Sequence, residues 1–163
     1  MVRYGKQVSE CIRLFGKKPS IVDGPLRIWQ TDLTALIDEP ADDRTVIFVV
    51  DTVGNTGKSW LTRYWYSTRD DIQMLSVGKR DDLAYSIDES KSLFVFDVPR
   101  KCMEYFQYPI AEALKNQVVF SPKYESRIKL LCNKCHVVIF CNEQPDRNKM
   151  FADRYKVINI RSL

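Results

Sequence analysis

The chain has no run approaching the roughly 18 apolar residues of a membrane span, and its opening residues lack the apolar core and small-residue cleavage site of an export signal. A membrane partner is therefore not expected, and an intracellular setting is. Glycine (6) and proline (7) are sparse and no tract is biased in composition, which sets aside collagen-like and disordered readings. Five cysteines are an odd number in a chain of 163 residues, long enough to have a real core, so reduced thiols are expected over a disulfide framework. What remains, with 45% hydrophobic and 28% charged residues, is the composition of one globular domain.

The formal net charge of +4 permits a polyanionic partner without requiring one, and its distribution is uneven. Residues 1–30 carry six bases against Glu10 and Asp23, whereas residues 31–44 carry five acids against Arg44 alone. After a Gly- and Pro-containing stretch, Leu26, Trp29, Leu33, Leu36 and Ile37 recur at helical spacing and stop at Pro40. This predicts an amphipathic helix closing an N-terminal segment over residues 1–40. Its stripe must be buried on another subunit or on the chain's own core; we take the segment as an oligomerisation element.

Beyond residue 40 the pattern changes. Val46–Val50, Leu93–Phe96 and Val137–Cys141 are short apolar runs of the kind buried on both faces of a parallel sheet, and each leads into a polar residue, Asp51, Asp97 and Asn142. Cys102–Leu114 is long enough for a crossover helix, and Gln117–Leu131 reads as an inserted hairpin. An α/β fold with its site at the carboxyl ends of the strands is expected.

That site is marked by Asp51-Thr52-Val53-Gly54-Asn55-Thr56-Gly57-Lys58-Ser59, running into helical spacing from Trp60. Strand, glycine loop, Gly-Lys-Ser and helix form a phosphate cradle: inward N–H groups around phosphate oxygens, a lysine for the β and γ phosphates, and a hydroxyl for Mg²⁺. The full pattern would place a glycine at position 52, where this chain has Thr52, and Gly54 and Asn55 are the candidates for the missing positive φ. ATP and Mg²⁺ are the expected cofactors, with Gly54–Trp60 as the nucleotide-binding residues. Asp97 is then expected to hold the metal together with Ser59, or else to cap the following helix. Asn142 is expected to orient water or sense the γ-phosphate, or else to form a turn before Glu143-Gln144-Pro145. Val98 follows Asp97, so no second acid stands there, and Glu104, Glu143 and Asp146 are the available bases.

The residues at 26–30 (LRIWQ), 42–44 (DDR), 49–61 (VVDTVGNTGKSWL), 93–100 (LFVFDVPR), 120–129 (FSPKYESRIK), 137–142 (VVIFCN) and 151–155 (FADRY) occur in an order that resembles the superfamily-3 helicase domain of replication-associated (Rep) proteins of circular single-stranded DNA viruses, the circovirus-like group. The resemblance implies an AAA+-like P-loop domain over residues 41–163 acting as an ATP-dependent DNA helicase, a hexameric ring, 3′ to 5′ movement on single-stranded DNA, and a place in the host nucleus. It implies catalytic roles for Lys58, Asp97 and Asn142, and for Arg154 as an arginine finger reaching a neighbouring subunit; the alternative for Arg154 is a salt bridge within Asp153-Arg154-Tyr155. It implies that a hairpin carrying Lys123, Tyr124 and Lys129 grips DNA, Lys123 being otherwise a solvated turn lysine. Related full-length proteins resemble rolling-circle initiators with a two-histidine nuclease site. With His136 alone this chain cannot build that site, and it is expected to be the helicase part of a longer protein.

Three other patterns are weighed against this. Cys132-Asn-Lys-Cys135-His136 matches a haem-attachment spacing but runs directly into an apolar strand, and Cys141 lies about 16 Å along that strand from His136, so neither haem nor zinc is expected. Trp60, Tyr64, Trp65 and Tyr66 are read as core and nucleobase contacts before a DNA-stacking platform. A nucleotide-dependent assembly module with little hydrolysis is the alternative function, and a P-loop kinase is disfavoured because no acceptor-binding segment or lid is visible.

Overall fold

The computed structural model describes residues 24–160. Helix α1 (Ile28–Asp38) leads into β1 (Val46–Val50), α2 (Lys58–Thr68), β2 (Ile72–Leu75), α3 (Arg80–Ser86) and β3 (Leu93–Asp97). There follow α4 (Tyr108–Lys115), the strands β4 (Val118–Ser121) and β5 (Arg127–Leu130), then β6 (His136–Cys141) and β7 (Tyr155–Asn159). Five strands form one parallel sheet in the order β2-β3-β6-β1-β7, and β4 and β5 pair antiparallel as a separate hairpin.

All five residues of β1 are buried, and the twofold period of a strand divides them between two layers. Val46, Phe48 and Val50 join α3, α4 and Val119 of the hairpin, while Ile47 and Val49 join α1 and α2. The sheet is therefore flanked by helices on both faces.

Helix α1 buries Trp29, Leu33 and Ile37 against Ile47, Val49, Trp65 and Phe140, each burial contributing about 2 kcal/mol. The stripe is thus covered by the chain's own sheet, the second of the two fates expected for it, and the boundary at residue 40 falls inside the packed unit. The remainder of that segment, residues 1–23, lies outside the described residues.

Two outer strands, β2 and β7, extend the three that the apolar runs predict. Neither carries a long apolar run: β2 contains buried Gln73, whose amide donates to Ser86 O (2.6 Å) and accepts from Asp88 N (2.8 Å), and β7 exposes Lys156 and Asn159. The predicted crossover helix from Cys102 divides into a 3-10 turn (Met103–Tyr105) and α4. Pro109 is the cause, since proline belongs in the first turn of a helix and not in its interior. No helix among the described residues is long and apolar enough to cross a membrane.

Candidate nucleotide site and hairpin

Between β1 and α2 the chain turns through three residues of positive φ, Gly54 (99°), Asn55 (59°) and Gly57 (96°), so Gly54 and Asn55 supply the left-handed backbone that Thr52 does not. The loop is held from within. Asp51 is fully buried, and its carboxylate accepts the N–H groups of Val53 (3.2 Å) and Gly54 (2.9 Å) and the Thr56 hydroxyl (2.6 Å). Burial raises this carboxyl's pKa, but those donors and the Lys58 charge outweigh it and hold it below the ordinary carboxylate range. From outside, Trp29 Nε1 donates to Thr56 O (3.2 Å) and Gln30 Nε2 to Gly57 O (2.9 Å), so α1 braces the loop.

Parallel pairing sets the remaining groups on the same edge. Val50 is in register with Cys141 and Asp97 with Phe140, so the ends of β1, β3 and β6 lie side by side. A cavity of about 200 Å³ there is lined by Lys58, Ser59, Thr62, Arg63 and Asp97, among others. Lys58 Nζ donates to Cys141 O (3.2 Å), and burial is the main reason its pKa is lowered, partly offset by Asp51 and Asp97. Asn142 Nδ2 donates to Asp51 O (2.8 Å), tying the end of β6 to the root of the loop. Ser59 and Asp97 are both exposed there, hard oxygen donors of the kind Mg²⁺ takes alongside water.

A second cavity, of about 400 Å³, adjoins the loop and is lined by Pro25, Arg27, Gln30, Asn55, Gly57 and Trp60, with Gly24 at its edge. Trp60 stacks on Tyr64 at 5.4 Å, whereas Trp65 is wholly buried and Tyr66 Oη accepts the Met74 N–H, which makes the latter two packing residues.

Arg154 is displaced from this site. It precedes β7, whose first residue pairs with Val46, so it lies at the opposite end of the sheet from Lys58. It is 4% exposed, its Nε is 3.2 Å from Glu112 Oε2, and its other nitrogens donate to Arg44 O (3.4 Å) and Asn116 Oδ1 (3.3 Å). Within its own chain the guanidinium thus takes up an ion pair, the alternative expected for it, with Glu112 in place of Asp153 as the partner. The cations that do stand by the site are Arg63 and Arg100, the latter donating to Val53 O (2.6 Å) above the loop. Of the carboxylates considered as a base, Asp146 is engaged in a turn, accepting Asn148 N–H at 2.9 Å.

The predicted hairpin forms, with Phe120 opposite Ile128 and Val118 opposite Leu130. Lys123 lies in its turn, a third exposed and ion-paired with Asp82 of α3, and that bond raises the lysine's pKa. Tyr124, beside it, is 79% exposed. Lys129 is a correction: it is buried, and its ammonium donates to the carbonyls of Tyr85 and Ile87 (2.9 Å to the latter), so it fastens the hairpin to α3 and does not face DNA. Burial pushes the Cys135 thiol, just before β6, up to about 11 and the Cys141 thiol, at its end, up to about 12, while His136 Nε2 at its start donates to Glu39 O (2.7 Å). Among the described residues no group of three or more His, Cys, Asp or Glu is placed to hold a metal.

Comparison with known proteins bears on this arrangement. Para-Rep C6 of the subterranean clover stunt C6 alphasatellite is 38% identical over 135 residues, covering 82% of this chain and 47% of that protein. Para-Rep C9 of the faba bean necrotic yellows C9 alphasatellite is 36% identical over 131 residues, covering 80% and 46%. The chain's homologues are alphasatellite Para-Rep proteins. It spans about half the length of these relatives. No family model matches the chain. Among solved structures, the apo C-terminal region of NrS-1 aligns with a TM-score of 0.48 and 13% identity, covering 74% of this chain and 29% of that one.

The sequence reading missed Asp51 as the organiser of the loop, and Gln30, Arg63 and Arg100 around it. Asp51 was legible in principle: an acid ending a fully apolar strand and entering a turn of Gly, Asn and Thr is an Asx-type organiser. The others come together only through tertiary packing.

Proposed function

We propose that the chain is the nucleotide-hydrolysing, DNA-translocating part of a viral replication-associated protein, a superfamily-3-type helicase domain working as a ring. The convergence of Lys58, Ser59 and Asp97 on one cavity beneath a glycine loop is the observation that carries this reading. The likeness to Para-Rep proteins supports the replication role.

On this reading the loop N–H groups and Lys58 bind the phosphates of ATP, Ser59 and Asp97 hold Mg²⁺, and the base and sugar occupy the cavity at Trp60 and Arg27. The metal, when bound, neutralises charge on the phosphoryl oxygens. Lys58 is poised for its part: half-buried and, among the described residues, hydrogen-bonded to a carbonyl alone, it exchanges that bond for a phosphate oxygen with little reorganisation. Arg100 adds positive charge above the loop, and Asn142 sets the distance between β6 and the loop root without adding negative charge. The hairpin turn, with Lys123, contacts single-stranded DNA, and movement is 3′ to 5′ around a hexamer.

Phosphate release over a protein concentration series, with and without single-stranded DNA and beside Lys58→Ala, tests the reading. Turnover that climbs with concentration, responds to DNA and vanishes in the variant supports it. Nucleotide binding without turnover at concentrations where a ring is present overturns the helicase and leaves a nucleotide-dependent assembly module. One observation favours that second reading: Val98 is buried in the core where a second carboxylate would otherwise stand beside Asp97.

A further inference from the structure

A cleft larger than either cavity at the glycine loop lies elsewhere on the molecule. A cleft of about 1030 Å³ opens between α3 and the hairpin, lined by Tyr85, Ser121, Tyr124, Arg127 and Lys129 together with the loop that follows α3. Three features of its wall are not accounted for by folding.

The Ser121 residue is 1% exposed, and its hydroxyl has no hydrogen-bond partner among the described residues. A buried hydroxyl left so is destabilising unless something that enters the cleft satisfies it. Tyr124 holds φ at 59°, a conformation costly for a bulky side chain and often kept at binding sites. There its ring stands edge-on to Tyr85, centroids 5.0 Å apart, and the two residues are 79% and 51% exposed. Lys129 Nζ lies over the Tyr85 ring (5.5 Å) and Lys123 Nζ over the Tyr124 ring (5.4 Å), so two exposed tyrosines, each already beside a cation, stand at the mouth of a cleft whose floor carries an unsatisfied hydroxyl.

The charges indicate what fits. Arg127 is bound to Glu89 (2.5 Å), the Lys129 ammonium is engaged by two carbonyls, and Asp88 and Glu125 add negative charge, so the cleft repels a phosphate. On the other side of the turn Lys79, Arg80 and Lys123 line a separate hollow of about 420 Å³, with Asp81 and Asp82. Arg80 is paired with Asp81 and Lys123 with Asp82, so the turn divides a hollow with one cation in excess from an aromatic cleft with one acid in excess, the order in which the phosphate and base of a nucleotide would sit. Resting on the reading of the chain as a single-strand-binding protein, we propose that the cleft seats a nucleobase of the strand, stacked on Tyr85 beside Tyr124 with its polar edge on Ser121 Oγ, while the backbone runs past Lys123. This makes α3 half of the nucleic-acid site.

Fluorescence anisotropy of the full 163-residue chain with dye-labelled oligothymidine, and with an abasic strand of equal length, tests this. We expect oligothymidine to bind on the order of tenfold more tightly than the abasic strand. Tyr85→Ala should erase that preference and Tyr85→Phe should keep it; both leave the backbone carbonyl that Lys129 uses. Ser121→Ala should weaken oligothymidine alone while the melting temperature holds or rises. Equal affinity of the two strands for the native chain, or an equal loss of both in Tyr85→Ala, overturns the base seat and leaves the DNA-binding reading standing. Failure of the native chain to bind either strand overturns both.

Discussion

The central sheet and the hairpin bury their strands on opposite terms. In β1 and β6 nearly every side chain is apolar and covered, so the strands are held by packing on both faces. In the hairpin the usual arrangement is reversed: Val118, Phe120, Ile128 and Leu130 face outward at 48–63% exposure, while Ser121 and Lys129 face inward. A slip of one residue would invert this, and what resists it is the pair of carbonyls that Lys129 finds on α3 together with Val119, the one apolar side chain the hairpin sends into the core. One region is specified by volume and the other by a few polar bonds. The first makes a rigid edge on which reacting groups can be set, and the second presents an unusual surface at the cost of depending on single residues.

The comparison is broken most forcefully at the rigid edge. Lys58→Ala should reduce nucleotide hydrolysis by about 10²-fold or more, measured as phosphate release at saturating nucleotide. The same change should leave the fold intact and raise the melting temperature, because burial disfavours the lysine's charged form and its loss relieves that cost. Function and stability are predicted to move in opposite directions at this position.

At the hairpin the two lysines should separate. Lys129→Met strands two carbonyls and is expected to cost about 2–4 kcal/mol in urea denaturation. Lys123→Ala, removing an exposed ion pair and a cation–π contact with exposed Tyr124, is expected to change stability by less than about 1 kcal/mol while weakening single-strand binding in anisotropy. Equal stability losses would show that the turn and the inward face are not distinct.

Arg154→Met tests the far end of the sheet. It should lower stability by about 2 kcal/mol through loss of the partly buried pair with Glu112. Hydrolysis per folded molecule should keep its dependence on protein concentration; a catalytic loss with unchanged stability would place the residue at an interface.

The smallest effect expected is in the acid limb of stability. The folded-state pKa of Asp51 lies below its unfolded value, so its contribution is fully present above the unfolded pKa of about 4 and is lost as pH falls through the folded one. Asp51→Asn should flatten thermal stability between about pH 5 and pH 2 relative to the native chain.

The apolar runs at 46–50, 93–96 and 137–141 were readable because strands covered on both faces leave an unbroken signal, and the groups ending them were readable because parallel pairing aligns strand ends. The loop was readable from Gly57-Lys58-Ser59 and its two permissive neighbours. Outer strands β2 and β7 were not, since Gln73 and Lys156 interrupt them: Gln73 is tolerated because its amide is satisfied by Ser86 and Asp88 beyond the sheet, and Lys156 because it is exposed. Nor were the fates of the basic residues. Lys123 and Lys129 lie six positions apart in one hairpin, and Arg154 and Arg100 look alike in sequence; which is exposed depends on Asp82, Tyr85, Glu112 and Val53, all distant along the chain.

The Lys129 ammonium closes a circuit. It joins the hairpin to the carbonyls that end α3, and the chain from there runs through Asp88 and Lys91, whose buried ammonium is anchored to Asp70 O (2.7 Å), directly into the strand that carries Asp97. The hairpin and Asp97 are therefore joined by one short stretch of chain, fastened at Lys129 and at Lys91, whose last part is the buried strand β3. The two candidate sites share a covalent border and not only a common core.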